Sequence, residues 1–255
     1  EDGTVEALSP QAGKGFSVSS GQTVTITKTD DAVSLQLAKL GADSGDARLK
    51  GAEFTIEGTF AKDTTSGVLE QRTFEGLSVE EVSALHFAVG QTYTLMETRA
   101  PAGYELIEGS LTFTVADDGR VYEDNIDASS VSNGEYRLLD DHLGIVVVDQ
   151  PIEIALAKYG SDKGTDTPDK ALSGATFRIR GVFADSETGE VDEKVFSMEE
   201  GSITLRHLVA GNVYRLWEVA APAGYKQIEG EIAFRVNTDG TIEQVDAEET
   251  SFANG

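Results

Sequence analysis

The chain has 255 residues and no cysteine, and its 45 acidic residues outnumber 20 lysines and arginines to give a net charge of −25. Without cysteine there is no disulfide, thiolate metal site or cysteine nucleophile, and a field this acidic repels nucleic-acid phosphates and anionic membrane surfaces. Hydrophobic residues make up 39% of the chain, enough for real cores, yet no run approaches the roughly 18 apolar residues of a membrane span.

In chain order, short alternating or β-branched runs at residues 24–27, 33–38, 52–56, 92–96, 110–115 and 144–148 read as strands. The second half repeats the order at 152–157, 175–179, 213–217 and 231–236. Asp118-Gly119 and Asp239-Gly240 follow matched strands and predict hairpin turns. Residues 78–84 predict one short helix. Many short strands with almost no helix argue for an all-β fold of tandem antiparallel β-sandwiches with Ig-like Greek-key connections.

The two halves match closely. Tyr93-Thr-Leu-Met-Glu97-Thr-Arg-Ala-Pro101-Ala-Gly-Tyr104 parallels Tyr214-Arg-Leu-Trp-Glu218-Val-Ala-Ala-Pro222-Ala-Gly-Tyr225, and both continue to Ile-Glu-Gly. Lys39 and Lys158 are 119 apart (158−39), and Glu97 and Glu218 are 121 apart (218−97), so a repeat of about 120 residues covers the chain. Asp149 precedes Lys158 by nine residues, as Asp30 precedes Lys39 (158−149 and 39−30). The expected layout is the end of a preceding repeat over 1–30, a complete domain over 31–149, and a second domain over 150–255 lacking its last strand. Asp149-Gln-Pro151 passes straight from strand to strand, which predicts a stiff tandem without a flexible linker. Such open ends come from a cut through a repeat array, or serve strand addition between copies.

Lys39, Glu97 and Asp149 each stand at the end of an apolar run, at recurring distances from matched landmarks. Outward-facing charges would satisfy any one of them. If all three face the core, they form either a buried ion network, itself weak grounds for stability, or a set that burial drives towards neutrality. A neutral amine is a nucleophile, and a protonated glutamate can relay protons. Amine attack on the Asp149 carboxyl group with loss of water would leave an amide joining first strand to last.

The segments Glu97-Thr-Arg-Ala-Pro-Ala-Gly-Tyr104 and Glu218-Val-Ala-Ala-Pro-Ala-Gly-Tyr225 resemble the E-box of CnaB-type domains, also called SpaA-like or prealbumin-like. These domains build stalks and pilins of Gram-positive surface adhesins. The resemblance implies a spontaneous isopeptide bond between Lys39 and Asp149 assisted by Glu97. In the second repeat it implies Lys158 and Glu218 with the acceptor beyond the chain, and it makes Asp30 the acceptor of the preceding repeat. The acceptor here is Asp where the family more often has Asn, so water would leave. No pilin lysine motif or sortase signal stands in these residues.

The expectation is therefore an extracellular, wall-anchored stalk or spacer whose partners are neighbouring repeats, with no cofactor, no metal and no conventional enzymatic activity. The alternative is a ligand-binding adhesin module recognising host matrix or glycan through its loops, of which 60–73 and 183–194 are the longest. His86 and His207 recur without a serine or cysteine partner and read as structural, as does the single His142. The acidic turn at 162–169 lacks the EF-hand pattern and reads as a solvated loop.

Overall fold

Alternating apolar side chains give each strand one face to bury, and the chain satisfies them by stacking small sheets into two successive cores. The structure, a computed structural model, describes residues 16–19, 25–28, 32–63, 67–160, 170–185 and 189–245. Asp30 and the 162–169 turn lie outside the described residues. An N-terminal hairpin pairs β1 (Phe16–Ser19) with β2 (Thr25–Lys28).

The first core lies between two sheets. One contains β3 (Gln36–Gly41), and the other begins with β4 (Glu53–Ala61) and β5 (Leu69–Leu77). Helix α1 (Val79–Ser83) follows, closed by a capping box in which the Ser78 hydroxyl accepts from the Glu81 backbone N–H and the Glu81 carboxylate accepts from the Ser78 N–H. The chain continues through β6 (Thr92–Arg99), β7 (Leu111–Thr114), a 3-10 turn at Glu123–Asn125, β8 (Ile126–Asp127), β9 (Gly134–Leu138) and β10 (Gly144–Asp149). The large sheet runs β5-β4-β6-β7-β8 and is antiparallel throughout; the small one runs β3-β10-β9. Phe54, Ile56, Tyr93, Leu95 and Phe113 from the large sheet meet Leu37, Ile145, Val147 and Tyr136 from the small one.

The second core uses β11 (Glu153–Ala157), β12 (Tyr159–Gly160), β13 (Lys170–Ala171), β14 (Ala175–Val182), β15 (Val191–Met198), β16 (Ser202–Arg206), β17 (Val213–Ala220), β18 (Ile232–Val236) and β19 (Ile242–Gln244). Its large sheet runs β15-β14-β17-β18-β19, and β11 pairs with β16 alone among the described residues. Where the first half places α1 against β3, the second places strand β16 against β11.

Two features depart from the sequence expectation. The pair β3–β10 runs parallel inside an otherwise antiparallel fold, because the first and last strands of the domain lie side by side with the whole domain as their crossover. The spans 60–73 and 183–194, expected as long loops, hold strand at their ends, with 60–61 and 69–73 in β4 and β5 and 191–194 in β15. Both β5 and β15 are sheet edges with mostly exposed side chains, so they lack the apolar alternation that identifies a strand. The helix at 78–84 and the Asp239-Gly240 turn between β18 and β19 form as expected.

The E-box turn after β6 is also the joint between the halves. Its Tyr104 bridges Pro151, the Glu105 N–H donates to the Gln150 carbonyl at 2.9 Å, and the Leu106 N–H donates to the Thr238 carbonyl at 2.8 Å. Gly103 has φ +86°, and a Cβ there would come within 2.7 Å of the Ala184 Cβ and 3.0 Å of the His207 Cβ. Glycine is thus needed for both conformation and contact. The expected lack of a flexible linker takes this form.

Candidate functional site: a buried lysine between two carboxylates

Strand register builds the site. Lys39 on β3, Val147 on β10 and Tyr136 on β9 form one row across the small sheet, and Gly41, Asp149 and Gly134 form the row two residues further along. Period-two alternation puts both rows on the core face, so Lys39 and Asp149 are diagonal neighbours, within reach of a long side chain. From the opposite sheet, Glu97 on β6 pairs with Phe54 on β4 and points into the same space. Glycine at 41 and 134 keeps the row around Asp149 open: a Cβ on Gly41 would strike the Tyr104 ring at 2.2 Å, and one on Gly134 would strike Ile107 at 2.6 Å.

The three charged side chains are fully enclosed, with side-chain exposure of 0% for Lys39, Glu97 and Asp149. Lys39 Nζ is in direct contact with Asp149 Oδ1 and lies 2.7 Å from Glu97 Oε1, off the angle of a hydrogen bond. It also lies 5.9 Å from the centroid of the Phe54 ring, which forms an apolar wall. Glu97 is aimed by its other oxygen, Oε2, which accepts the Ile107 N–H at 3.1 Å. Burial pushes the Asp149 carboxyl up to about 7, with the Glu97 charge adding to the rise and Lys39 opposing it. Burial also raises the Glu97 carboxyl, again against Lys39. Two carboxyls whose ionised forms burial disfavours, beside one amine, are a set in which charge is easily exchanged for neutrality.

In the second half, Lys158 follows β11, and Glu218 on β17 pairs with Phe177. Glu218 Oε2 accepts the Ile228 N–H at 2.7 Å, the counterpart of the Ile107 contact. The Lys158–Glu218 separation is 3.6 Å, and the lysine side chain retains 10% exposure. No third carboxyl joins this pair among the described residues. The structure therefore brings Lys39, Glu97 and Asp149 together, and separately Lys158 and Glu218. His86, His142 and His207 take no part; His207 reaches across the joint to Asp43, Nε2 to Oδ2 at 3.1 Å.

Several participants carry no chemical signature in the sequence. Phe54 and Phe177 read as ordinary core residues until register sets them opposite the glutamates. Gly41 and Gly160 each stand two residues after the site lysine, where the motif tyrosines Tyr104 and Tyr225 cover them. Tyr136 lies on β9, which is not among the expected strand runs. The repeated Lys-x-Gly spacing was the one readable signal among these.

No helix among the described residues is long and apolar enough to cross a membrane. Among curated proteins, none matches the sequence. Among solved structures, the chain is similar to the C-terminal fragment of the pilus adhesin SpaC from Lactobacillus rhamnosus GG, with 22% identity, a TM-score of 0.42, and 88% of this chain and 91% of that one covered. Against a longer SpaC structure the identity is 22% and the TM-score 0.40, with 93% of this chain but only 31% of that one aligned. GBS52, the minor pilin of Streptococcus agalactiae, aligns at 17% identity and a TM-score of 0.27, over 83% and 91% of the two chains. Likenesses this distant carry no argument about activity. The family profile described as SpaA, a prealbumin-like fold domain, matches residues 33–130 and 153–251. With both halves matched, the chain belongs to the SpaA family of prealbumin-like fold domains.

Proposed function

We propose that this chain is a load-bearing segment of a Gram-positive surface pilus or adhesin, stiffened by a self-formed amide between Lys39 and Asp149. The observation that carries this reading is the enclosure of Lys39 between two carboxyls in a site without solvent exposure. A permanent ion network there would bear the desolvation of three charges, whereas an amide removes two of them.

The chemistry balances within the triad. Transfer of one proton from the Lys39 ammonium to the Asp149 carboxylate gives the neutral amine and neutral acid, a tautomer that burial favours. Nζ attacks Asp149 Cγ and forms the C–N bond; Glu97, as the protonated acid, donates to the departing oxygen and takes the excess proton from nitrogen. The C–O bond breaks, one water leaves and Glu97 recovers its original state. Lys39 Nζ is already in contact with Oδ1 of the acceptor carboxyl group, so little movement separates the amine from Cγ, and proximity favours attack.

The parallel β3–β10 pair explains what the bond does. The chain enters at the start of β3 and leaves at the end of β10, at opposite ends of the pair, so tension along the chain loads this ladder in shear. A covalent link between strands carries that load past the domain. It also closes a loop of 110 residues, worth roughly 4–5 kcal/mol in the chain-entropy treatment of cross-links.

Intact-mass measurement of the purified chain tests this. The expected mass is lower than the sequence mass by one water, and Glu97→Ala restores the full value. An unmodified wild-type mass overturns the bond.

A further inference from the structure

Asp149 has two diagonal neighbours on the core face of the small sheet. Lys39 stands on one side, on β3, and Tyr136 on the other, on β9; both share the row of Val147. The amine takes Oδ1. The other oxygen, Oδ2, is buried with no hydrogen-bond partner among the described residues, and so is the Tyr136 hydroxyl. An unused acceptor on Asp149 and an unused donor on its diagonal neighbour therefore stand on the core face of one small sheet. A buried hydroxyl without a partner is costly, and a native fold that keeps one calls for a reason.

We propose that the Tyr136 hydroxyl is the oxyanion donor of amide formation, binding Asp149 Oδ2 as charge develops on it. This inference rests on the Lys39–Asp149 bond proposed above and assigns the two oxygens. When Nζ adds to Cγ, the π electrons of the Cγ–Oδ2 bond move onto Oδ2. The Tyr136 O–H donates to that oxygen without losing its proton. As Oδ1 leaves as water, protonated through Glu97, the electron pair on Oδ2 re-forms the carbonyl, and Oδ2 remains as the amide oxygen. In the structure Oδ2 accepts from no group among the described residues, so the Tyr136 contact is one made as charge develops.

Electrostatics support the placement. Burial, followed by the neighbouring Glu97 and Asp149 charges, holds the Tyr136 hydroxyl well above the usual phenol range. It stays protonated and is a donor throughout, as such a role requires. The Glu97 backbone N–H opposes that rise. The tyrosine is 8% exposed and belongs to the core cluster, so its ring is fixed by packing.

The test follows water loss in time. Full chains made in a short cell-free pulse are chased and sampled by intact mass, for wild type, Tyr136→Phe and Glu97→Ala. The expected Tyr136→Phe rate is about a hundredfold below wild type, the scale of losing one donor to a developing oxyanion. Glu97→Ala shows no water loss. A Tyr136→Phe rate equal to wild type overturns the role of the hydroxyl and leaves the bond standing; a wild-type chain that never loses water overturns both. Tyr136→Phe is also placed in the bond-free Lys39→Ala chain. Unchanged thermal unfolding there, with slow bonding in the single variant, assigns the effect to the hydroxyl. Loss of folding in either background makes Tyr136 a packing residue and overturns the proposal.

Discussion

The two halves of this chain carry the same glutamate on the same strand, aimed by the same backbone contact, yet they hold their lysines differently. Glu97 and Glu218 accept the N–H groups of Ile107 and Ile228, and each faces a phenylalanine on the neighbouring strand. Lys39 has no exposure, 2.7 Å from Glu97 and against Asp149; Lys158 keeps 10% of its side chain exposed, 3.6 Å from Glu218. The difference comes from β10. Where a strand lies beside the lysine strand, it seals the amine and brings a second carboxyl group. A shared motif thus yields a shared scaffold, while the buried charge set depends on which strand completes the small sheet.

The strongest way to break that comparison is to remove each lysine in turn. Lys39→Ala removes the nucleophile of the proposed cross-link, worth about 4–5 kcal/mol, and leaves a cavity where the buried lysine stem packed, a further loss on the order of 2 kcal/mol. The first domain's calorimetric transition should fall by tens of degrees. Lys158→Ala should move the second transition far less. Equal shifts would mean that the two sites are equivalent.

A pH series sharpens the same contrast in the bond-free chain. In Lys39→Met, the Asp149 and Glu97 carboxyls hold protons more tightly when folded than when unfolded, because burial raises both. The folded state then binds more protons, so stability is greatest below about pH 4 and declines as pH rises through about 7, the Asp149 value with Lys39 beside it, which loss of the cation moves higher still. Chemical denaturation across this range should show the first domain weakening with rising pH. A first domain that strengthens over this range would contradict the burial.

The paired glycines give a smaller effect. A Cβ on Gly41 would lie 2.2 Å from Tyr104, which is 8% exposed and donates to Asp43 at 3.0 Å. A Cβ on Gly160 would lie 2.6 Å from Tyr225, which is 37% exposed, and 2.8 Å from the Leu172 Cδ1. Gly41→Ala should cost about 1–3 kcal/mol and Gly160→Ala less, as read from the separate unfolding transitions. The smallest effect belongs to the joint. His207→Ala removes a half-exposed contact with Asp43 worth under about 1 kcal/mol. Small-angle scattering should show a broader distribution of interdomain distances without loss of either fold.

Much of this was legible in the sequence because duplication wrote it twice. Lys39, Glu97 and Asp149 stood out by constant distances from landmarks, and strand-like alternation located most of the core. The edge strands β5 and β15 escaped because their side chains are largely exposed and only pairing with β4 and β14 makes them strands. Tyr136 escaped because β9 is not among the expected strands, and only register sets it in the row of Lys39 through Val147. The Tyr104 turn was legible as a motif, and its second use as the joint was not.

The sequence by itself determined the tandem repeat, the β-class of the fold and the identity of the amine and two carboxyls, since these follow from local alternation and from recurrence. Only the tertiary structure decided that β3 and β10 run parallel, that Asp149 lies diagonal to both Lys39 and Tyr136, and that water is excluded from the set. Those are consequences of register between strands about 110 residues apart, and register is set by which faces the packed sheets can bury.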